Sequence, residues 1–389
     1  MSPSPRGQFS DFPMKTDGFN LADDHIPGEH VNEYLCDFAN RFDVLKFVRF
    51  NTGVDVAADN GLAGWTLTVA KTFNNERTEM TIKASKLIVA TGLTLEPFMP
   101  ILHGRDIFHA PIYHTSEFAR AESGLDGFSS IRNFFQQHWL GRKIVDTFFA
   151  KMQHSIEESN RYHENPETSK LHQWDGVFFI GTNRGLLNYD VDFFETHSYL
   201  SNGDVLETDV LICGTGWKDT PQIEFVTERE LGLPGHLTLS AQPYLAKADY
   251  AILRTCPKLQ NQPPSRKIKP LSDDAVEATP EPYRLYRFMV PPALIDSRTL
   301  AFAGAYRIPA TTFIAQTQAL WITAFFDNQI PELAEGFNPN SNRIMFETIL
   351  HTQFGKWRYS KGFDDRFPEL WFDCLPYVDL LLKDVGVPN

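Results

Sequence analysis

Two short turns hold the residues best placed to do chemistry. "SKLIVATGLTLEPFMP", residues 85–100, is a hydrophobic strand that stops at Thr91 and Gly92, and "TDVLICGTGWKDTP", residues 208–221, repeats the pattern at Thr215 and Gly216. Glycine lets backbone approach a ligand or another strand with no Cβ in the way. In doubly wound sheets ligands lie at the carboxyl ends of the strands, so a Thr-Gly turn there is suited to touching a dinucleotide. A tight exit turn from a buried strand explains one such turn taken alone; two in one chain shift the balance toward a nucleotide. Cys36, Cys213, Cys256 and Cys374 stand far apart, with no Cys-x-x-Cys pair and no His at metal spacing. Neither a metal site nor a disulfide scaffold is expected, and reduced, intracellular thiols are the default.

The elements that must position these turns come from a chain of 389 residues, 42% of them apolar, enough for one large core or two ordinary ones. A formal net charge of -13 leaves no basic face for nucleic acid or anionic lipid. With no apolar run of membrane-spanning length and no signal-like N-terminus, a cytoplasmic protein is expected. Thirty-two phenylalanines in an aromatic content of 13% favour large buried side chains or an apolar ligand cavity. Val31, Tyr34, Leu35, Phe38 and Phe42 recur at helical spacing, and residues 47–50 read as the strand that follows. "GWTLTVAKTFNNERTEMTIKASKLIVATG" alternates, turns at Asn74 and Asn75, alternates again and runs into a continuous apolar strand. Residues 87–89 and 210–212 are expected as buried central strands, the second after a short hairpin at "NGDVLETDV". Residues 127–152 look helical, and residues 257–282 read as a surface loop. "RTLAFAGAYRIPATTFIAQTQALWITAFFDNQIP" predicts strand, loop and helix, with Ala315, Ala319, Ile322 and Phe326 on one helix face.

Taken together these segments resemble the class B flavin-dependent monooxygenases, the flavin-containing and Baeyer-Villiger type, in their fungal branch. "VATGLTLEPFMP" is similar to that family's linker between its FAD and NADPH domains, and "LICGTGW" to its second linker. "FHAPIYHTSEF", residues 108–118, resembles the Phe-x-Gly-x-x-x-His-x-x-x-Phe fingerprint, with Ala110 where the family has Gly. "FSDFP", "AFAGAYRIPATTFIAQTQALW" and "FPELWFDCLPYVDLLLKDVGV" extend the similarity over nearly the whole chain. The resemblance implies an α/β fold with two Rossmann-like dinucleotide-binding domains, here incomplete. Residues 1–120 would be the remnant of the FAD domain with the fingerprint, 121–207 a degenerate NADPH-domain and helical segment, and 208–389 the rest of the FAD-like domain with a helical substrate side and tail. By the same resemblance His114 couples NADPH binding to domain position, although a hinge histidine with a structural hydrogen bond fits equally. Thr91, Gly92, Thr215 and Gly216 would be domain-linker contacts. Gly304 and the loop to Thr311 and Thr312 would lie beside the flavin ring at a helix N-terminus, where an ordinary threonine cap is the simpler account.

The family holds FAD on an N-terminal strand, Gly-x-Gly-x-x-Gly turn and helix whose amides grip the pyrophosphate. No Gly-x-Gly-x-x-Gly occurs in these residues. Three gaps relative to the family, ahead of Met1, after Arg120 and after Glu195, coincide with pieces of nucleotide-binding scaffold. The family's flavin-proximal Asn would fall at about Met1. A transcript with skipped exons and a genuinely shortened descendant both account for the gaps. The expected parent activity is NADPH- and O2-dependent oxygenation of a small apolar molecule in fungal secondary metabolism, with FAD and NADPH as family cofactors and their binding by this chain doubtful. A cofactor-free isomerase or cyclase, or a non-catalytic partner, are the alternatives. A small-molecule substrate, no nucleic acid, no transmembrane segment, and a homo-oligomer or pairing with an intact homologue complete the expectation; no catalytic side chain is singled out.

Overall fold

The alternating segments build three antiparallel strands in the computed structural model: β1 (Thr52–Asp59), β2 (Trp65–Phe73) and β3 (Glu76–Ala84). The residues described are 8–15, 28–74, 76–99, 102, 105–109, 111–117, 143, 191–194, 197–200, 205–207, 211–218, 221–234, 239–261, 282–308, 311–334, 341–358, 368–370 and 373–387. The expected helix at 127–152 lies outside them, apart from residue 143. So does most of the expected loop, beyond a 3-10 turn at Pro257–Asn261. Contacts divide the chain into two units, one of residues 1–96, 217–267 and 278–389, the other of residues 97–216 and 268–277.

In the first unit β2 turns into β3 through Asn74, whose φ of 47° is the left-handed conformation that asparagine tolerates. Strand β10 (Glu224–Val226) joins β1 in parallel, for a sheet order of β10-β1-β2-β3. A separate parallel pair joins β4 (Leu87–Val89) to β11 (Leu300–Phe302), from Leu87 opposite Leu300 to Val89 opposite Phe302. Trp65, Ala57, Val89, Phe225, Leu294, Leu300 and Phe302 belong to one buried cluster spanning both sheets. The Trp65 indole donates to the Thr299 carbonyl at 2.9 Å, so the residue that fills this core also ties β2 to the start of β11.

Five helices are described: α1 (Gly28–Arg41), α2 (Gln242–Thr255), α3 (Thr311–Phe326), α4 (Ser341–Arg358) and α5 (Cys374–Asp384). Among the described residues no helix is long and apolar enough to cross a membrane. A second core joins Trp321, Phe325, Met289, Val290, Tyr377 and Leu381. At its centre Arg287, buried and at a left-handed φ of 52°, donates from Nε to Asp384 Oδ2 at 2.7 Å and from Nη2 to Oδ1 at 3.1 Å. The Trp321 indole donates to the same Asp384 oxygen at 2.9 Å. Asp249 holds α2 to α4 by accepting from Gln353 Nε2 and Trp357 Nε1, each at 2.8 Å.

The second unit contains a parallel pair, β5 (Ile112–His114) with β9 (Leu211–Cys213), and an antiparallel sheet of β6 (Val191–Phe194), β7 (His197–Leu200) and β8 (Val205–Glu207). The hairpin expected at "NGDVLETDV" therefore closes back onto β7, while the strand after it pairs with β5.

Several sequence expectations are corrected. Residues 47–50 form no strand: a 3-10 turn covers Leu45–Phe47, and Phe47 and Phe50 are 76% and 67% exposed, because no described strand lies beside them to take their backbone bonds. Strand β4 forms where expected, and among the described residues it is paired on one side. Its described partner is β11 alone, and Ile88 is 50% exposed. In α3 the buried residues are Ile314, Thr317, Gln318, Trp321, Ile322, Ala324 and Phe325, while Ala315 and Ala319, expected on the same face as Ile322, are exposed. The core is filled from the face that carries Ile314, Trp321 and Phe325, whose larger apolar side chains bury more area than two alanines.

Replacing Asp384 by Ala removes both of its bonds to the buried Arg287, leaving Glu347 at 3.4 Å as an ion-pair partner, and takes the acceptor from the Trp321 indole; a loss of about 3–5 kcal/mol is expected in urea unfolding. Asp59 supplies a pH test. Its carboxylate accepts from Arg229 Nε at 2.6 Å, the Thr227 hydroxyl at 2.7 Å and the Gly61 amide at 2.8 Å. Burial alone would raise its pKa, but these bonds outweigh it and hold the carboxyl below the usual range. A depressed folded-state pKa contributes stability that is present above the unfolded value near 4 and lost as pH falls through the folded value. Asp59→Asn is expected to flatten the acid limb of stability against pH below about 4, measured by chemical unfolding.

Candidate functional site

In the first unit, β4 and β11 leave their sheet side by side. The Ala303 amide donates to the Val89 carbonyl at 2.8 Å, which places Thr91 and Gly92 after one strand and Gly304 after its neighbour, all at the carboxyl edge. Gly92 and Gly304 have φ of 67° and 77°, and a Cβ at either would touch nothing within 4 Å. The turn geometry asks for glycine, and the space beside both is open. The nearby recess lined by Thr91, Gly92, Glu96, Lys218, Gln222 and Tyr283 offers about 10 Å³, room for a single water.

Beneath Gly304 runs a buried polar line. Its amide donates to Gln318 Oε1 at 3.0 Å, Gln318 Nε2 donates to the Tyr377 hydroxyl at 2.8 Å, and that hydroxyl donates to the Arg287 carbonyl at 2.8 Å. Gln318 is 1% exposed, and burial pushes the Tyr377 phenol well above its usual range, so it remains a neutral donor. Tyr306, pushed up to about 12 by burial, donates to the Thr311 carbonyl. The Thr311 hydroxyl donates back to the Ile308 carbonyl at 3.2 Å, fastening the loop to the first turn of α3, where Thr312 also sits. Gln318 was missed in the sequence. A glutamine between Ile314 and Trp321 on an apolar helix was the available signal, since a buried amide must find partners.

The second unit holds the other expected residues. His114 lies beside Cys213 in the β5–β9 register and is 1% exposed. Its Nδ1 accepts the Ser116 amide at 3.1 Å and lies 2.9 Å from the Ser116 hydroxyl, while its own amide donates to Glu117 Oε2 at 3.1 Å. An Nδ1 that accepts an amide carries no proton, which leaves the ring hydrogen of the neutral form on Nε2. Burial raises the Cys213 thiol against the lowering effect of Arg105, so it is a packed thiol and not an activated nucleophile. The Thr215 hydroxyl donates to the Phe98 carbonyl, and the Phe98 amide donates to the Gly216 carbonyl at 2.9 Å. Thus Thr91, Gly92, Gly304, Thr311 and Thr312 belong to one unit, and His114, Thr215 and Gly216 to the other.

A dinucleotide pyrophosphate is gripped by consecutive free amides where a Gly-rich turn enters a helix. The described residues do not fit that requirement. The chain after β4 continues as a linker, the Gly304 amide is committed to Gln318, and the 389 residues contain no Gly-x-Gly-x-x-Gly. What they provide is two glycines at the carboxyl ends of adjacent parallel strands, with open space beside both.

Residues 6–129 match the family described as flavin-binding monooxygenase-like. An FAD-dependent monooxygenase of Aspergillus nomiae is 24% identical over 501 aligned positions that take in 98% of this chain and 83% of that protein. One from Pyrenophora dematioidea is 26% identical, covering 98% of this chain and 87% of its own. Those alignments span 501 positions against 389 residues here, so a large share of each relative stands opposite no residue of this chain. Among solved structures, Tmm from Pelagibacter sp. strain HTCC7211 superimposes with a TM-score of 0.52 at 15% identity, over 98% of this chain and 70% of that one, a likeness of fold alone.

Gln318→Leu removes both ends of the polar line, leaving the Gly304 amide and the Tyr377 hydroxyl each short of a partner. The hydroxyl keeps its bond to the Arg287 carbonyl while the amide is stranded, and a loss of about 1–3 kcal/mol is expected in chemical unfolding.

Proposed function

Because the chain is a relative of the flavin-dependent monooxygenases, we propose that its parent reaction is NADPH- and O2-dependent oxygenation of a small apolar molecule in fungal secondary metabolism. The observation that carries this reading is the placement of Gly92 and Gly304 at the carboxyl ends of two adjacent parallel strands, with the Gly304 loop held from below by Gln318 and Tyr377. Thr91, Gly92, Gly304, Thr311 and Thr312 are the rim toward FAD in this reading. His114, Thr215 and Gly216 belong to the NADPH-linked hinge in this reading, where the imidazole fixed by Ser116 positions its strand end. The fungal relatives, named as FAD-dependent monooxygenases, support the class.

The rim by itself holds FAD weakly. Losing several charge-assisted amide bonds to the pyrophosphate, together about 4 kcal/mol, weakens a site by roughly a thousandfold. The purified 389-residue chain is therefore expected to be colourless after desalting and to oxidise no NADPH above the buffer rate. Stoichiometric flavin absorbance surviving desalting would overturn the weak-binding claim. Turnover of a small apolar substrate with flavin and NADPH rigorously excluded would overturn the monooxygenase reading.

A further inference from the structure

Resting on that reading for what lies beneath it, we propose that the turn at residues 9–12 and α1 form one flap, hinged at residues 43–50 and latched by Gln316, that covers and uncovers the start of α3. The flap is held together from inside. The Tyr34 hydroxyl accepts the Phe9 amide at 2.7 Å and donates to the Phe12 carbonyl at 2.6 Å, so one buried side chain of α1 closes the turn. The Phe38 ring centre lies 4.3 Å from that of Phe9, 5.7 Å from that of Phe12 and 4.7 Å from that of Phe42. Among the described residues, none of these rings belongs to the two buried cores of the unit. Turn and helix thus share a small aromatic cluster of their own.

Two attachments of different kinds tie the flap to the rest of the unit. One is the latch: Gln316 accepts the Ser10 amide at Oε1 and donates from Nε2 to Asp11 Oδ1, both at 3.0 Å. Both bonds are exposed, so water competes for every group in them, whereas the Tyr34 hydroxyl acts from a buried side chain. The latch therefore opens before the flap comes apart. The other attachment is the hinge. Asp43 and Asn51 both take left-handed φ, 55° and 54°, and between them Leu45–Phe47 forms its 3-10 turn on local bonds, from the Phe47 amide to the Val44 carbonyl and from the Val48 amide to the Leu45 carbonyl. The sheet takes over at Asn51, whose carbonyl accepts the Thr72 amide at 2.9 Å. A short stretch of local bonds between two regular elements is where changes in φ and ψ are absorbed.

What the flap covers follows from the helix period. Gln316 lies one turn after Thr312 and on the same face of α3. Thr312 and Gln316 are half-buried, while Thr311, Phe313 and Ala315 are exposed. The edge at Ser10 and Asp11 therefore lies alongside Thr312, a rim residue in the reading above. Two positions after Gln316, Gln318 turns inward and holds the Gly304 amide. One stretch of α3 thus carries the flap on its outside and the Gly304 loop on its inside, and opening the latch frees the first without disturbing the second. A flap of this kind admits a small molecule to the rim when open and keeps water from it when shut.

The test uses the flavin-free 389-residue chain, so that FAD retention or its absence bears on the rim reading alone. In residue-resolved hydrogen exchange, Gln316→Ala removes both latch bonds and should speed the Ser10 amide about tenfold, the change that roughly 1.4 kcal/mol makes in an equilibrium constant. Asp11→Ala removes one bond and should speed it about threefold. Asp11→Asn keeps an acceptor for Gln316 and should stay at the parent rate. The Phe9 and Phe12 amides, bonded within the flap, and the Gly304 amide, bonded to Gln318, should keep parent rates in all three variants. Thr312→Cys, followed by mass spectrometry of its own peptide, should react with iodoacetamide about tenfold faster once Gln316→Ala is added. Ala319→Cys, at an exposed position beyond the flap, should react at one rate with or without it. Parent exchange at Ser10 in both Ala variants would overturn the proposal. Faster Phe9 and Phe12 amides would overturn it too, because the turn would then be peeling off α1 and not moving with it. An unchanged Thr312→Cys rate would overturn it as well, because the flap would then leave the start of α3 uncovered.

Discussion

The buried pairing of Arg287 with Asp384 is the constraint on which the helical half of the first unit depends. A guanidinium removed from water must be met by charge and hydrogen bonds, and Asp384 supplies both through two bonds. That requirement fixes the end of α5 against the turn at residues 286–290, and the Trp321 indole adds α3 by donating to the same carboxylate. Arg287 adopts its left-handed backbone inside this arrangement, where its carbonyl is turned to receive the Tyr377 hydroxyl. The polar line then continues through Gln318 to the Gly304 amide. The loop at the carboxyl end of β11 is thus set by an ion pair several residues away in the core. A line of neutral donors and acceptors transmits position without bringing charge to the open side.

This arrangement separates two tasks that a dinucleotide site usually combines. One is shaping the rim where strands end, the position that Gly92, Gly304 and the loop before α3 occupy. The other is neutralising a pyrophosphate, which takes consecutive free amides and a helix N-terminus in register. Rim contacts are individually modest, while phosphate contacts are charge-assisted and cooperative, so a chain can keep the architecture of the site and lose most of its affinity.

In the second unit the imidazole of His114 is fixed by the turn that follows it. Bonds to Ser116 and Glu117 hold both its ring and its backbone, and the neighbouring Cys213 is buried and protonated. The second Thr-Gly turn is likewise occupied, with Thr215 and Gly216 bonded to Phe98. These residues serve first as a strand-end joint, and any cofactor-linked role is exercised through that joint.

Local pattern by itself determined a good part of this protein. Alternation and the Asn74 turn specified the β2–β3 hairpin, the apolar run at 87–89 specified a strand, and the two Thr-Gly turns and His114 marked strand ends, one turn in each unit. Each of these is a short-range consequence of side-chain period and backbone preference. Tertiary structure decided the rest. Residues 47–50 have strand composition but no described strand beside them, and backbone bonds between strands come from a distant segment. Ala315 and Ala319 share helical spacing with Ile322, yet which face of α3 turns inward was settled by Trp321 and Phe325 filling the core. Gln318, Tyr377 and Arg287 lie far apart in sequence and meet because each buried polar group must find its partner wherever packing has placed one.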